Sequence, residues 1–136
     1  MNTEILYSLL TAVLASSLWI PYIVGINMTK YEGQDESFTR PPDHRNMLPW
    51  IHRAHRAHLN LLEQFTPYAV VVLSGHMLEV SNVITQWCAF LFFITRILHA
   101  IGMISGLTKF PLRPVIFTSG WMITLVHVWQ VFANAP

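Results

Sequence analysis

Residues 5–28 read ILYSLLTAVLASSLWIPYIVGINM and contain no charged side chain. About 20 consecutive apolar residues are enough for a helix to cross the hydrocarbon core of a bilayer. This run is therefore long enough to span a membrane, and Pro21 within it predicts a kink. A signal peptide is not indicated, because residues 1–4 include Glu4 and lack the basic residues with which such peptides begin.

The composition of the whole chain agrees with a membrane location. The chain has 136 residues, of which 53% are hydrophobic and 11% charged, whereas soluble domains carry about 25% charged residues. Most of the charges fall between Lys30 and Glu63. The rest of the chain therefore contains long segments with few charges, which a lipid environment can accommodate. The net charge is +1, and no basic face is dense enough to bind a phosphate backbone, so we expect no nucleic-acid partner.

Three further helices follow the first span. A polar loop over residues 29–48 contains helix breakers such as Gly33, Pro41 and Pro42, and helix begins again near Pro49. We predict one domain over residues 1–136, with membrane spans at about 5–28, 57–79, 83–105 and 111–132. The predicted fold class is all-α, an integral membrane four-helix bundle with up-down topology.

The loops differ in their content of lysine and arginine. The second loop and both termini have none, and the other two loop regions hold Lys30, Arg40, Arg45, Arg53, Arg56, Lys109 and Arg113. Because basic loops stay in the cytoplasm, we predict that both termini lie on the non-cytoplasmic side. Short termini without targeting signals are typical of a protein of the bacterial inner membrane, which is the expected localisation.

A stripe of polar side chains marks the start of the second span. Arg56, Asn60 and Glu63 are spaced i, i+4 and i+7, so they lie along one face of the helix, and Arg53 joins its edge. Guanidinium groups bind carboxylates through two parallel hydrogen bonds, and a carboxylate binds an amine. The stripe therefore predicts a pocket for a small zwitterionic peptide with several carboxylates.

The third span contains two polar side chains in an apolar run, Arg96 and His99. An unpaired arginine at membrane depth costs several kcal/mol, about 2.5 or more, so we predict an ion pair between Glu63 and Arg96. The alternative reading is that this pair only fixes helix packing. His99 lies one turn after Arg96 and is a candidate functional residue.

The sequence predicts no metal site. His52, His55 and His58 are spread over about 120° of a helix, so at most two of them share a ligand face. The chain has one cysteine, Cys88, in an apolar run, which we interpret as a packing residue rather than a nucleophile. No intramolecular disulfide can form.

Two motifs together resemble a known family. They read Arg56-Ala-His58-Leu-Asn60-x-x-Glu63-x-x-x-Pro67 and Arg96-x-x-His99. They are similar to motifs of the MAPEG superfamily, the membrane-associated proteins in eicosanoid and glutathione metabolism. The first motif is most similar to the microsomal glutathione transferase and prostaglandin E synthase branch, and the resemblance extends over essentially the whole chain.

The resemblance implies a homotrimer that binds glutathione between neighbouring subunits, near the cytoplasmic face. The implied glutathione contacts are Arg53, Arg56, Asn60, Glu63 and His99. An arginine near the start of the fourth span would stabilise the thiolate, and Arg113 is the candidate here. Lipophilic small-molecule substrates and membrane lipid are the other implied partners, and the reaction would be glutathione transfer or peroxide reduction.

One residue departs from the resemblance. Many members carry a tyrosine one turn after the histidine, and this chain has Met103, which donates no hydrogen bond. Met103 favours an alternative function, a non-catalytic membrane protein that binds a lipid or a partner protein in the same groove. A small transporter is less favoured, because the sequence has no inverted repeat and no relay of acidic residues within the membrane beyond Glu63.

Overall fold

The structure is a computed structural model that describes residues 1–30, 43, 46–107 and 110–136. Five helices occur in this part of the chain: α1 (Thr3–Ser17), α2 (Ile20–Met28), α3 (Pro49–Met77), α4 (Val83–Ser105) and α5 (Leu112–Asn134). Because α1 and α2 together make one interrupted span, the predicted all-α, four-helix membrane fold is confirmed. Three of the basic loop residues, Arg40, Arg45 and Lys109, lie outside the described residues, as does most of the predicted loop at 29–48.

The first span is broken between Ser17 and Ile20. Pro21 lies in the first turn of α2, where its missing N–H group removes no helical hydrogen bond. Inside a continuous helix, the proline ring would meet the carbonyl group four residues earlier, that of Ser17. The kink expected at Pro21 is therefore an interruption, and the backbone of Leu18 still closes the last turn of α1 on Leu14 at 3.0 Å.

Helix α3 lies at the centre of the bundle and contacts all four other helices. Small residues allow this close approach, since Ala54 and Ala57 of α3 are fully buried. One core cluster joins α1, α3 and α4 through Ala15, Leu18, Ala57, Leu61, Ala100 and Met103. A second, nearer the other end of α3, stacks Tyr68 on Phe92 with ring centroids 3.8 Å apart.

Within the described residues, three segments are long and apolar enough to cross a membrane: Thr3–Met28, Val83–Ser105 and Leu112–Asn134. Helix α3 is not among them, and polar and charged residues are spread over much of its length. Its 29 residues make about 44 Å of helix, which exceeds the ~30 Å hydrocarbon core. The charged end of α3 therefore extends beyond the apolar layer when the rest of the helix spans it.

The end of the bundle that holds the N-terminus is closed by a buried carboxylate. Glu4 of α1 accepts hydrogen bonds from the hydroxyl groups of Ser81, at 2.8 Å, and Thr85, at 2.6 Å. Asn82 caps α4 through the backbone N–H groups of Ile84 and Thr85. The opposite end, where α3 begins, α4 ends and α5 begins, is more open and carries the predicted site residues.

Candidate functional site

The polar stripe of α3 lies at the edge of the bundle. Ala57, Leu61 and Gln64 face the interior, whereas the side chains of Arg56 and Glu63 are exposed. Asn60 lies between these faces and is buried. The helical spacing therefore places one neutral and two charged groups along the margin between α3 and its neighbours, as the sequence pattern predicts.

The stripe borders two cavities that adjoin each other. The first cavity, of about 530 Å³, is lined by Met47, Pro49, His52, Arg53, Arg56, Met103 and Arg113. The second cavity, of about 360 Å³, is lined by Arg56, Asn60, Glu63, His99, Arg113, Pro114, Phe117 and Thr118. Arg56 and Arg113 belong to both linings, so the cavities meet between these two guanidinium groups.

The charges of the two cavities differ. The described lining of the first cavity has three guanidinium groups and no carboxylate, which makes it an anion-binding surface. The second cavity adds Glu63 and the side-chain amide of Asn60. A ligand that extends through both would therefore meet positive charge at one end and a carboxylate at the other.

Arg113 lies in the first turn of α5 and lines the second cavity together with residues of α3. Its side chain is exposed at the mouth shared by the two cavities. The structure thus brings Arg113 from the end of the chain to Arg56, Asn60 and Glu63 of α3. A group held between Arg56 and Arg113 would experience both positive charges.

His99 of α4 lies at the back of the second cavity and is 2% exposed. Its ring centroid is 6.1 Å from that of Phe117. Its Nε2 atom is buried with no hydrogen-bond partner among the residues that the structure describes. An unpaired buried nitrogen costs about 1–3 kcal/mol, so a polar ligand group in the cavity would stabilise this ring.

Arg53 lines the first cavity, but two of its nitrogens contact protein. Its Nε and Nη2 atoms donate to the carbonyl oxygen of Ile104, at 3.4 and 3.3 Å. Ile104 belongs to the last turn of α4, where carbonyl groups lack helical partners and carry partial negative charge. Gly106 ends this helix with φ at 78°, and a Cβ there would lie 3.1 Å from Nη2 of Arg53.

Replacing Arg53 is therefore expected to destabilise the protein slightly. The contacts are long, and Arg53 is partly exposed, so we expect Arg53→Met to lower the free energy of unfolding by about 0.5 kcal/mol. Arg53→Lys should keep part of this stabilisation, because an ammonium group can also donate hydrogen bonds to the carbonyl groups at the end of a helix. Thermal unfolding in detergent measures both variants, and an unchanged Arg53→Met midpoint would show that the contact contributes nothing.

The predicted ion pair between Glu63 and Arg96 is not formed, although both residues are described. Arg96 is 1% exposed, and its Nη2 atom donates to the carbonyl oxygen of Ile116 at 2.9 Å. Its Nε and Nη1 atoms have no partner in the described part of the chain. The reason is helical phase: Gln64, not Glu63, is the α3 residue that faces the interior, and Glu63 points about 100° away.

Two functional candidates were missed from the sequence, Gln64 and Gly120. Gln64 donates from Nε2 to the carbonyl oxygen of Phe117 at 3.0 Å, beside the second cavity. Gly120 is buried where α5 passes Gln64 and Arg96. In the sequence, the two residues stand out only as a polar amide and a glycine within apolar segments. Such a pattern does not indicate which residues they contact.

A third cavity, mostly apolar, continues from the second along α3 and α5. It measures about 530 Å³ and is lined by Glu63, Gln64, Pro67, Phe117, Thr118, Trp121, Thr124 and Leu125. Glu63, Phe117 and Thr118 are shared with the second cavity. An apolar molecule that lies between α3 and α5 would therefore touch the polar site at one end.

The comparisons with known proteins give one match. The model of the MAPEG family matches residues 5–133, which is nearly the whole chain. No curated protein and no solved structure gives a significant match. The all-helical bundle is consistent with the family match, and the predicted resemblance of the chain to this family is confirmed. The chain belongs to the MAPEG family.

Proposed function

We propose that this protein is a membrane-bound, glutathione-dependent transferase or peroxidase that acts on lipophilic electrophiles, with a role in detoxification. The family supports a membrane function related to glutathione or eicosanoid metabolism. The observation that carries the specific proposal is the convergence of Arg56, Asn60, Glu63, His99 and Arg113 around one cavity. These residues come from three different helices, α3, α4 and α5, which pack on one another around the cavity.

The charges of the cavities match those of glutathione, which has two carboxylates, one amine and a thiol. The carboxylates would bind Arg56 and the first cavity, where Arg53 can offer its remaining Nη1 atom. Glu63 would accept hydrogen bonds from the amine, and Asn60 and His99 would contact the peptide backbone. The volumes of about 530 and 360 Å³ lie in the range of about 300–1,000 Å³ that is usual for small-ligand sites.

The proposed reaction uses the glutathione thiolate, which is the nucleophilic form of the thiol. Arg113 lowers the pKa of the bound thiol by favouring the negative charge, and the thiol proton passes to solvent. In transfer, the sulfur lone pair forms a bond to an electrophilic carbon, and the leaving group departs with its bonding electrons. In peroxide reduction, two glutathione molecules supply two electrons, which gives an alcohol, water and a disulfide.

The proposed assembly is a homotrimer with glutathione between subunits near the cytoplasmic face, and both termini on the non-cytoplasmic side of a bacterial inner membrane. Two features of the single subunit support an interfacial site. Arg56, Glu63 and Arg113 are exposed, and the third cavity opens beside them along α3 and α5. A neighbouring subunit would cover this margin, and a lipophilic substrate would enter from the membrane lipid through the groove between subunits.

Calorimetry with detergent-purified protein tests the cofactor. We expect micromolar-to-millimolar glutathione binding that Arg56→Ala abolishes, because a carboxylate would lose a paired guanidinium group. Arg56→Lys is the matched control: it keeps the charge but not the fork of donors, so binding should be weakened and still measurable. If the folded wild-type protein binds no glutathione, the cofactor assignment is wrong.

Met103 supports a second candidate function, a non-catalytic protein that binds a lipid or a partner protein in the same groove. Its side chain borders the first cavity and also packs in the core with Ala15 and Leu61, so it offers the site no hydrogen bond. The rate of glutathione conjugation to an aromatic electrophile distinguishes the enzyme from the non-catalytic binding protein. Activity that depends on Arg113 supports the enzyme, and its absence in a glutathione-binding protein supports the alternative.

A further inference from the structure

Two buried side chains from different helices reach the backbone of α5 at neighbouring residues. Gln64 of α3 donates to the carbonyl oxygen of Phe117 at 3.0 Å. Arg96 of α4 donates to the carbonyl oxygen of Ile116 at 2.9 Å. A carbonyl oxygen has two lone pairs, so it can accept such a bond in addition to the helical one.

Gly120 allows this approach. A Cβ atom at Gly120 would lie 2.5 Å from Oε1 of Gln64 and 2.8 Å from Cζ of Arg96. Both distances are shorter than van der Waals contact, so any larger residue would displace the two side chains. The three residues thus form one unit, which we call the α5 clamp (Gln64, Arg96 and Gly120).

The α5 clamp restricts α5 in two ways. Ile116 and Phe117 are about 100° apart around the helix. The carbonyl group of Ile116 is hydrogen-bonded to α4, and that of Phe117 to α3. Rotation of α5 about its axis, or a shift along it, would stretch at least one of the two hydrogen bonds. Arg113 lies three residues before Ile116 and four before Phe117, so it shares their face of the helix one turn away.

We infer that the α5 clamp positions Arg113 over the second cavity, so Gln64, Arg96 and Gly120 act on the reaction through Arg113 without contacting glutathione. The inference rests on the proposed function of Arg113. It also gives the buried guanidinium group of Arg96 a role beyond packing. A packing role would be filled as well by an apolar side chain, and Arg96 leaves two buried nitrogens without partners among the described residues.

A double-mutant cycle tests the coupling. Gln64→Met keeps the length of the side chain and removes the hydrogen bond to Phe117. Because a displacement of about 1 Å can lower a rate roughly a hundredfold, we expect kcat to fall by about tenfold to a hundredfold. In an Arg113→Ala background the same substitution should change kcat by less than about twofold, since groups that act as a unit are not additive.

A spectroscopic readout accompanies the rates. The thiolate of bound glutathione absorbs in the ultraviolet, and in Gln64→Met its titration should move towards that of free glutathione. Thr66→Val is the matched control, because the hydroxyl group of Thr66 donates within α3 itself, to the carbonyl oxygen of Leu62. It should leave both the rate and the titration unchanged. Equal losses from Gln64→Met in the presence and absence of Arg113 would overturn the inference.

Hydrogen exchange separates this inference from the proposed function. In Gln64→Met, and in Gly120→Ala if the first variant does not fold, the backbone amides of residues 115–117, the first in α5 with helical hydrogen bonds, should exchange faster than in the wild-type protein. This comparison needs no glutathione. Unchanged exchange in a folded variant would overturn the α5 clamp, whereas faster exchange in a protein without glutathione binding would contradict only the proposed function.

Discussion

Arg113→Ala is expected to lower kcat for glutathione conjugation by about a hundredfold, and by up to a thousandfold if a neighbouring subunit excludes water from the site. Two unit charges 4 Å apart attract by about 4 kcal/mol at an effective dielectric constant of 20. That energy would shift the pKa of a thiol by about three units. Arg113 is exposed in the single subunit, so the smaller effect applies without a covering subunit.

The pH dependence of this variant follows from the same charge. Arg113 favours the thiolate, so its removal raises the pKa of bound glutathione. Below that pKa, the thiolate fraction falls tenfold per pH unit, and the deficit of the variant is largest there. Above the thiol pKa of both proteins, both are fully ionised, and the deficit shrinks. We therefore expect the kcat profile of Arg113→Ala to be displaced to higher pH.

Arg113→Lys is the control for charge. It retains a cation at the mouth of the second cavity and should recover most of the lost rate, with a pH profile close to that of the wild-type protein. Size-exclusion chromatography in detergent tests whether both Arg113 variants assemble as the wild-type protein does. An Arg113→Ala variant with wild-type kcat and an unshifted profile would remove Arg113 from the proposed mechanism.

The fold could be predicted from the sequence because the bilayer imposes a simple rule. Residues 5–28, 83–105 and 111–132 are apolar for the length that a membrane requires. The interruption at Leu18 and Trp19 was predicted only as a kink. Whether a proline bends a helix or divides it depends on the neighbours that satisfy the freed backbone groups, and the local sequence does not specify them.

The sequence indicated which side chains of the candidate site lie near one another, but not the contacts that they make. Arg56, Asn60 and Glu63 share a helix face by spacing alone, and the structure places His99 and Arg113 around the same cavity. The partner of Arg96 was predicted incorrectly. Charge made Glu63 the obvious choice, but the partner is a backbone carbonyl, that of Ile116. Every residue has such a carbonyl, so no sequence pattern indicates which one a side chain reaches.

Gly120→Val is expected to destabilise the protein by about 3 kcal/mol or more. The added side chain would occupy the space that Gln64 and Arg96 now fill. These two side chains are long and flexible, but they are 9% and 1% exposed and hydrogen-bonded to α5, so they cannot move away freely. Each broken hydrogen bond leaves buried polar groups unpaired at about 1–3 kcal/mol, and overpacking adds about 1–3 kcal/mol.

Thermal unfolding in detergent measures this effect, and a compensating substitution identifies its cause. Gln64→Ala alone should be destabilising, because it opens a void and releases Phe117. Combined with Gly120→Val it should restore part of the stability, since valine would fill the space that the glutamine vacates. This gain requires that the two residues touch, because substitutions at independent sites add. Additive losses, or a Gly120→Val midpoint equal to wild type, would show that α5 does not pack against Gln64 and Arg96 at Gly120.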